Sequence, residues 1–259
     1  VHWSDGEQIM ASSTVAAIPA APGPFYFVMA LACALVAVLG FAPSYWAPLA
    51  TGSLAEAPIV HLHAVLFTAW TLFFILQTGL VASGRTTRHR ALGLAGISLA
   101  TAMLFVGLAT AIHSADAFIA AGYGDRARGF MIVPVTTVVF FAAAVAVAVA
   151  NRSRPEIHKR WMLVGSAAIL IAAFARIVRF IRFGTEVPAG PPPIEASLVA
   201  AIGTDALIVA AMIHDWRTRG RVHPAYWIGG GLWLAIQLGR VPFSRTPEWL
   251  GVADWLLRF

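Results

Sequence analysis

The chain reads as a series of long apolar runs separated by short polar turns. Seven runs approach 20 residues, at 25–42, 59–82, 91–114, 130–150, 161–183, 194–213 and 225–239. A helix of about 20 apolar residues is what a hydrocarbon layer of roughly 30 Å requires. Proline punctuates the pattern: Pro24 opens the first run, Pro43 closes it, and Pro58 enters the second. The last run is the shortest and contains Gly229-Gly230-Gly231, so a full crossing and a re-entrant segment both stay open for it. The pattern predicts an all-α fold, a polytopic membrane helical bundle of about seven transmembrane helices over residues 24–241. Residues 1–23 read as a flexible lead-in. At the other end, Thr246-Pro247-Glu248 is a helix start, with a threonine N-cap, proline in the first position and an acid in the first turn. Trp249, Val252, Ala253 and Leu256 follow at helical spacing. Residues 242–259 therefore read as an amphipathic tail, lying in the membrane interface or packed on the bundle.

Composition narrows the class. Of the 259 residues, 59% are apolar and 12% are charged, with a mean hydropathy of +0.77. A soluble domain carries about 25% charged residues to wet its surface, so the soluble classes are excluded. The net charge of +6 does not indicate nucleic acid, because the basic residues fall in short clusters between the apolar runs. Arg85, Arg88 and Arg90 follow the second run; Arg152, Arg154, Lys159 and Arg160 follow the fourth; Arg217, Arg219 and Arg221 follow the sixth. The alternate loops at 43–57, 115–129 and 184–193 hold only Arg126 and Arg128. By the positive-inside rule the basic turns are cytoplasmic, which places the N-terminus inside and the C-terminus in the periplasm. Arginine replaces lysine almost everywhere, a bias of GC-rich bacterial genomes, so the expected location is a bacterial inner membrane. The single cysteine, Cys33, lies within an apolar run and permits no disulfide within the chain.

Polar residues are scarce in such a chain, and the histidines stand out. His89, His158 and His223 each lie near the end of a basic turn, and each is followed seven residues later by a glycine, at Gly96, Gly165 and Gly230. Seven residues are two helical turns, so each glycine lies on its histidine's face about 10 Å deeper. The recurrence suggests a hairpin used three times. An imidazole above a glycine notch suits axial ligation of haem, the notch admitting the flat macrocycle; interfacial histidines above helix–helix contacts produce the same pattern. A second group lies toward the other face, where His61 and His63 open the second span and His113 ends the third, with Asp116 beyond it. Two facing imidazoles suit bis-histidine haem, whereas His61, His63, His113 and Asp116 together would suit zinc, copper or non-haem iron. His61 and His63, two residues apart, point to different helix faces. Deeper still are Arg176 and Asp205, on neighbouring spans, for which mutual pairing is the expected arrangement.

Two stretches, Arg88-His89-Arg90-Ala91-Leu92-Gly93 and Glu156-Ile157-His158-Lys159-Arg160-Trp161-Met162, resemble the paired signatures of a family of predicted bacterial multi-pass membrane proteins of unknown function. Its pattern opens one helix with His-Arg/Lys-x-x-Gly and another with His-Arg/Lys-x-Trp-Met, followed late in that helix by an arginine, here Arg176 or Arg179. The resemblance covers about residues 85–182 and implies the multi-pass architecture. More loosely, the arrangement is similar to the haem bundles of the cytochrome b561 type. That likeness implies haem b held by His63 and His113 toward one face and by His89 and His158 toward the other. Arg176 would then neutralise a propionate, and electrons would pass between the two faces. Two other readings stand beside it: a metal-dependent membrane enzyme built on the His61, His63, His113 and Asp116 set, and a non-catalytic accessory or assembly subunit of a larger membrane complex. A retinal protein is excluded, because Lys159 is the only lysine and lies in a turn. Reporter fusions test the topology: a periplasmic phosphatase inserted in the 152–160 turn stays inactive, while the same reporter in the 184–193 loop is active.

Overall fold

The computed structural model describes residues 23–184, 186 and 188–259; residues 1–22, most of the expected lead-in, lie outside it. Every regular element is helical. In chain order these are α1 (Phe25–Phe41), α2 (Ala47–Ala50), α3 (Pro58–Ala82), α4 (Thr86–Phe118), α5 (Gly124–Phe130), α6 (Ile132–Ala150), α7 (Pro155–Ala168), α8 (Ile171–Phe183), α9 (Ala196–Arg219), α10 (Pro224–Phe243) and α11 (Pro247–Leu256). Six stretches are long and apolar enough to cross a membrane: Phe25–Ala50, Pro58–Ala82, Thr86–Phe130, Ile132–Ala150, Pro155–Phe183 and Ala196–Arg219. Leu35, Val65, Phe105, Val139, Ile202 and Ile228 turn outward from six different helices. In water such a surface would aggregate; against acyl chains it is the complementary one.

The helices alternate in direction between a basic end and an opposite end. At the basic end the three arginine-bearing turns come together, because His89 lies beside His158 while Arg160 pairs with Asp215 and Glu156 with Arg219. The sequence expectation that these turns share one side is met in the fold. α10 also starts at this end, where the Tyr226 and Tyr26 hydroxyls are 3.2 Å apart. It finishes at the other, where Arg245 pairs with Glu195 at the head of α9. Its 20 residues extend about 30 Å, so α10 runs the depth of the bundle although it is less apolar than the six.

α7 is the axis. Every residue from Arg160 to Ala168 is buried except Met162, within a core shared with α1, α3, α6, α9 and α10. Small residues allow this density: a Cβ on Gly165 would meet the Ala144 Cβ at 3.0 Å, and one on Gly229 would meet the Trp161 ring at 3.3 Å. Where α1 crosses α8 the backbones nearly touch, since a Cβ on Gly40 would lie 2.6 Å from the Ala173 carbonyl oxygen. Buried indoles are satisfied across helices, Trp70 Nε1 donating to Ser166 Oγ at 3.2 Å and Trp233 Nε1 to Thr204 Oγ1 at 3.2 Å. α11 forms where the capping pattern predicts it, with Thr246 accepting from Trp249 N–H. Its Trp249 and Ala253 fold onto the bundle's opposite end, Trp249 Nε1 donating to the Arg128 carbonyl at 2.9 Å. Trp255, by contrast, is exposed.

The basic end is clamped by one buried ion pair. Arg160 and Asp215 are each about 1% exposed and make a two-pronged contact from α7 to α9, Nε to Oδ2 at 2.8 Å and Nη2 to Oδ1. Arg160 Nη1 also donates to the Glu156 carboxylate at 2.8 Å and its carbonyl at 2.7 Å. Glu156 in turn receives Lys159 at 2.6 Å and Arg219. The His223 side chain caps α10 by accepting the Ala225 N–H at 3.1 Å. Burial, reinforced by Arg160 and Arg219, holds the His223 imidazole below its usual pKa, which preserves that lone pair. Removing one partner of a buried pair leaves the other charge stranded, at a cost of about 3–5 kcal/mol. Asp215→Ala is therefore expected to lower the unfolding temperature in detergent sharply, and Arg160→Met with Asp215→Leu to recover most of the loss. A single variant as stable as the wild type would refute the clamp.

Candidate functional site

Of the histidines singled out in the sequence, the structure brings one pair together. His89, in the first turn of α4, and His158, in the first turn of α7, face each other with ring centroids 6.1 Å apart and planes at 78°. The two positions lie 69 residues apart in the chain, and they meet because α4 and α7 both pack on α6. His158 Nδ1 is 2.8 Å from the Ala148 carbonyl oxygen at the end of α6. A carbonyl only accepts, so Nδ1 carries a proton, and the lone pair of the neutral form would lie on Nε2. That is the orientation a metal-ligating histidine is usually given by its outer partner. His89 sits against the Gln77 backbone of α3, and its Nδ1 is buried without a partner.

Gln77, whose backbone lies beside His89, carries a further unsatisfied group and was not legible as a site residue. It is 8% exposed, and neither its amide nitrogen nor its amide oxygen has a hydrogen-bond partner. Its signal in the sequence is slight, a lone amide in the run Phe73-Phe74-Ile75-Leu76-Gln77. Buried polar atoms without a partner are uncommon, and Gln77 with His89 Nδ1 supplies three of them. The glycine notches beneath the imidazoles are closed, however. A Cβ on Gly96 would lie 2.5 Å from the Phe73 ring, one on Gly165 meets Ala144, and one on Gly230 meets Ile208 at 3.2 Å. All three glycines pack against side chains of other helices, the arrangement expected of the second role the pattern allowed. The third histidine of the repeat, His223, caps α10 instead.

Toward the opposite end the predicted residues separate. His61 Nδ1 bonds the Tyr45 hydroxyl at 2.9 Å, while His63 stacks on Phe67 of its own helix at 4.0 Å, so the two do take different faces. His113 and Asp116 are exposed on α4. Among the described residues, no three His, Cys, Asp or Glu side chains gather into a metal-binding group. Arg176 does not pair with Asp205. Its Nε donates to Ser44 Oγ at 3.2 Å and its Nη1 to the Ala172 carbonyl at 3.1 Å, with the guanidinium 4.4 Å from the Phe41 ring. Ser44 lies in the widened turn 42–46 opened by Pro43 at the end of α1, where a cation also answers the helix dipole. Asp205 instead accepts from the Gln237 amide of α10 at 2.9 Å.

No family model, curated protein or solved structure matches this chain. The unsatisfied Gln77 amide can be tested directly. Gln77→Leu removes two unsatisfied atoms and is expected to stabilise the fold by about 1–3 kcal/mol in thermal unfolding. A destabilised variant would mean that the amide is already satisfied.

Proposed function

We propose that this multi-pass membrane protein holds a transition-metal centre between His89 and His158 at its cytoplasmic end. The observation that supports it is the convergence of two imidazoles from separate helices, one of them oriented through Nδ1 so that Nε2 is free. Their separation leaves room for one ion bonded at about 2 Å to a nitrogen of each ring, and imidazole ligands suit iron, copper, zinc or nickel. The closed glycine notches favour a compact ion over a macrocycle buried among the helices. A b-type haem, the form an electron-transfer role would use, would need its plane turned toward the membrane surface.

The setting we infer is the bacterial inner membrane, with seven crossings including α10, the N-terminus in the cytoplasm and the C-terminus in the periplasm. The ten basic residues of the three turns and the full-depth course of α10 support it. The likeness of the 88–93 and 156–162 stretches to the multi-pass family agrees with this arrangement. A second reading, a non-catalytic accessory subunit of a membrane complex, is favoured by the same packed notches: the imidazole pair would then only tie α4 to α7.

Metal analysis and an absorption spectrum of the detergent-purified protein separate these readings. One equivalent of metal is expected, lost by more than about tenfold in His89→Ala and His158→Ala and retained in His113→Ala. A Soret band that the same two variants abolish would identify haem. Protein free of both metal and haem leaves the accessory reading.

A further inference from the structure

A second unexplained group lies at the opposite end, away from the imidazole pair. Arg240, in the last turn of α10, is 2% exposed, and among the described residues its Nε, Nη1 and Nη2 meet no hydrogen-bond acceptor. A guanidinium offers five N–H donors and keeps its charge under nearly all conditions, so its burial without an acceptor is a standing deficit. Partial compensation comes from the Trp233 ring, 5.8 Å from Cζ, and from the field of Asp205. Asp205 Oδ1 is engaged by the Gln237 amide, and the Thr204 hydroxyl accepts from Trp233 and Gln237 while donating to the Ala201 carbonyl.

Arg240 also lines a cavity of about 380 Å³ between α6 and α10, walled otherwise by Ile132, Thr136, Ile236, Gly239 and Phe243. The Thr136 hydroxyl is turned back onto the Ile132 carbonyl at 2.6 Å, which leaves the arginine as the one charged residue bordering the cavity, its guanidinium nitrogens covered by the apolar wall. The cavity opens sideways on the lipid-facing surface, where Gly239 and Phe243 are exposed. An apolar groove with a single unanswered cation just behind its wall complements an amphiphile with one anionic head.

We propose that this groove takes a single-tailed carboxylate amphiphile, a long-chain fatty acid, with its carboxylate on Arg240 and its tail along Ile236 and Phe243. The planar guanidinium matches a carboxylate with two parallel N–H···O bonds. A phospholipid is disfavoured because its glycerol and head group would need further donors, and the walls supply none. The inference is independent of the metal centre and shares no residue with it.

Purified full-length protein in a nonionic detergent is titrated with dodecanoate, with dodecanol and with phosphatidylglycerol in mixed micelles. Saturable binding of one dodecanoate per chain is expected, with dodecanol and phosphatidylglycerol weaker by at least about tenfold. Arg240→Gln is expected to lose at least about tenfold in dodecanoate affinity. Gly239→Phe keeps the charge but fills the groove, and its Cβ meets nothing within 4 Å, so it should fold normally and lose binding as well. The second variant decides the question if the first does not fold. Absence of saturable dodecanoate binding, undiminished binding in Gly239→Phe, or phosphatidylglycerol binding as tightly as dodecanoate would overturn the proposal.

Discussion

The buried Arg160–Asp215 pair is the constraint around which the basic end is arranged. A charge withdrawn from water must find a counter-charge and enough hydrogen bonds to replace its hydration, and here each need is met by a different helix. Asp215 comes from α9, Glu156 from the first turn of α7, and the His223 N–H that Asp215 accepts from the turn into α10. Satisfying one guanidinium therefore fixes the relative positions of three helices. In a membrane this matters more than in water, because lipid tails solvate leucine as well as a helix does, and apolar packing alone specifies little about which helices meet. Close-packed small residues then consolidate what the ion pair positions, as at Gly165 against Ala144 and Gly229 against Trp161.

That clamp also explains where the candidate centre lies. Residues 156–160 form one helical turn and a little more, with Arg160 pointing toward α9 and His158 toward α6 and α4. Anchoring Arg160 holds the first turn of α7 in rotation, and the Ala148 carbonyl holds the His158 ring. The His158 imidazole is thus held from both sides. His89 has no such support at Nδ1, and with Gln77 it carries the unsatisfied atoms.

The two ends of the bundle treat polar groups differently. At the basic end nearly every ionic group of the clamp is paired. At the opposite end Arg176 leans on a hydroxyl, a carbonyl and a ring, and Arg240 on a ring alone at close range. Intramembrane cations without a full set of partners are costly and concentrate where a protein meets a ligand or a path. The lipid-facing groove beside Arg240 gives that excess charge an outlet.

The chain alone determined the membrane class, the helical fold, six helices long and apolar enough to cross (their bounds to within a few residues), the gathering of the basic turns at one end and the start of α11. These follow from hydrophobic run length, proline and capping chemistry and loop charge, which are local properties. The repeat of histidine and glycine was also visible, but its meaning was not. Only the tertiary structure decided that His89 and His158 meet, that His63 stacks on Phe67, that the glycines fit against side chains, and that Arg176 turns to Ser44. It also turned Arg160 from a loop charge into a buried anchor and exposed Gln77 and Arg240 as unsatisfied. The reason is physical: which polar groups find partners depends on the rotation and pairing of helices whose apolar surfaces are nearly interchangeable, and that information is in no single segment.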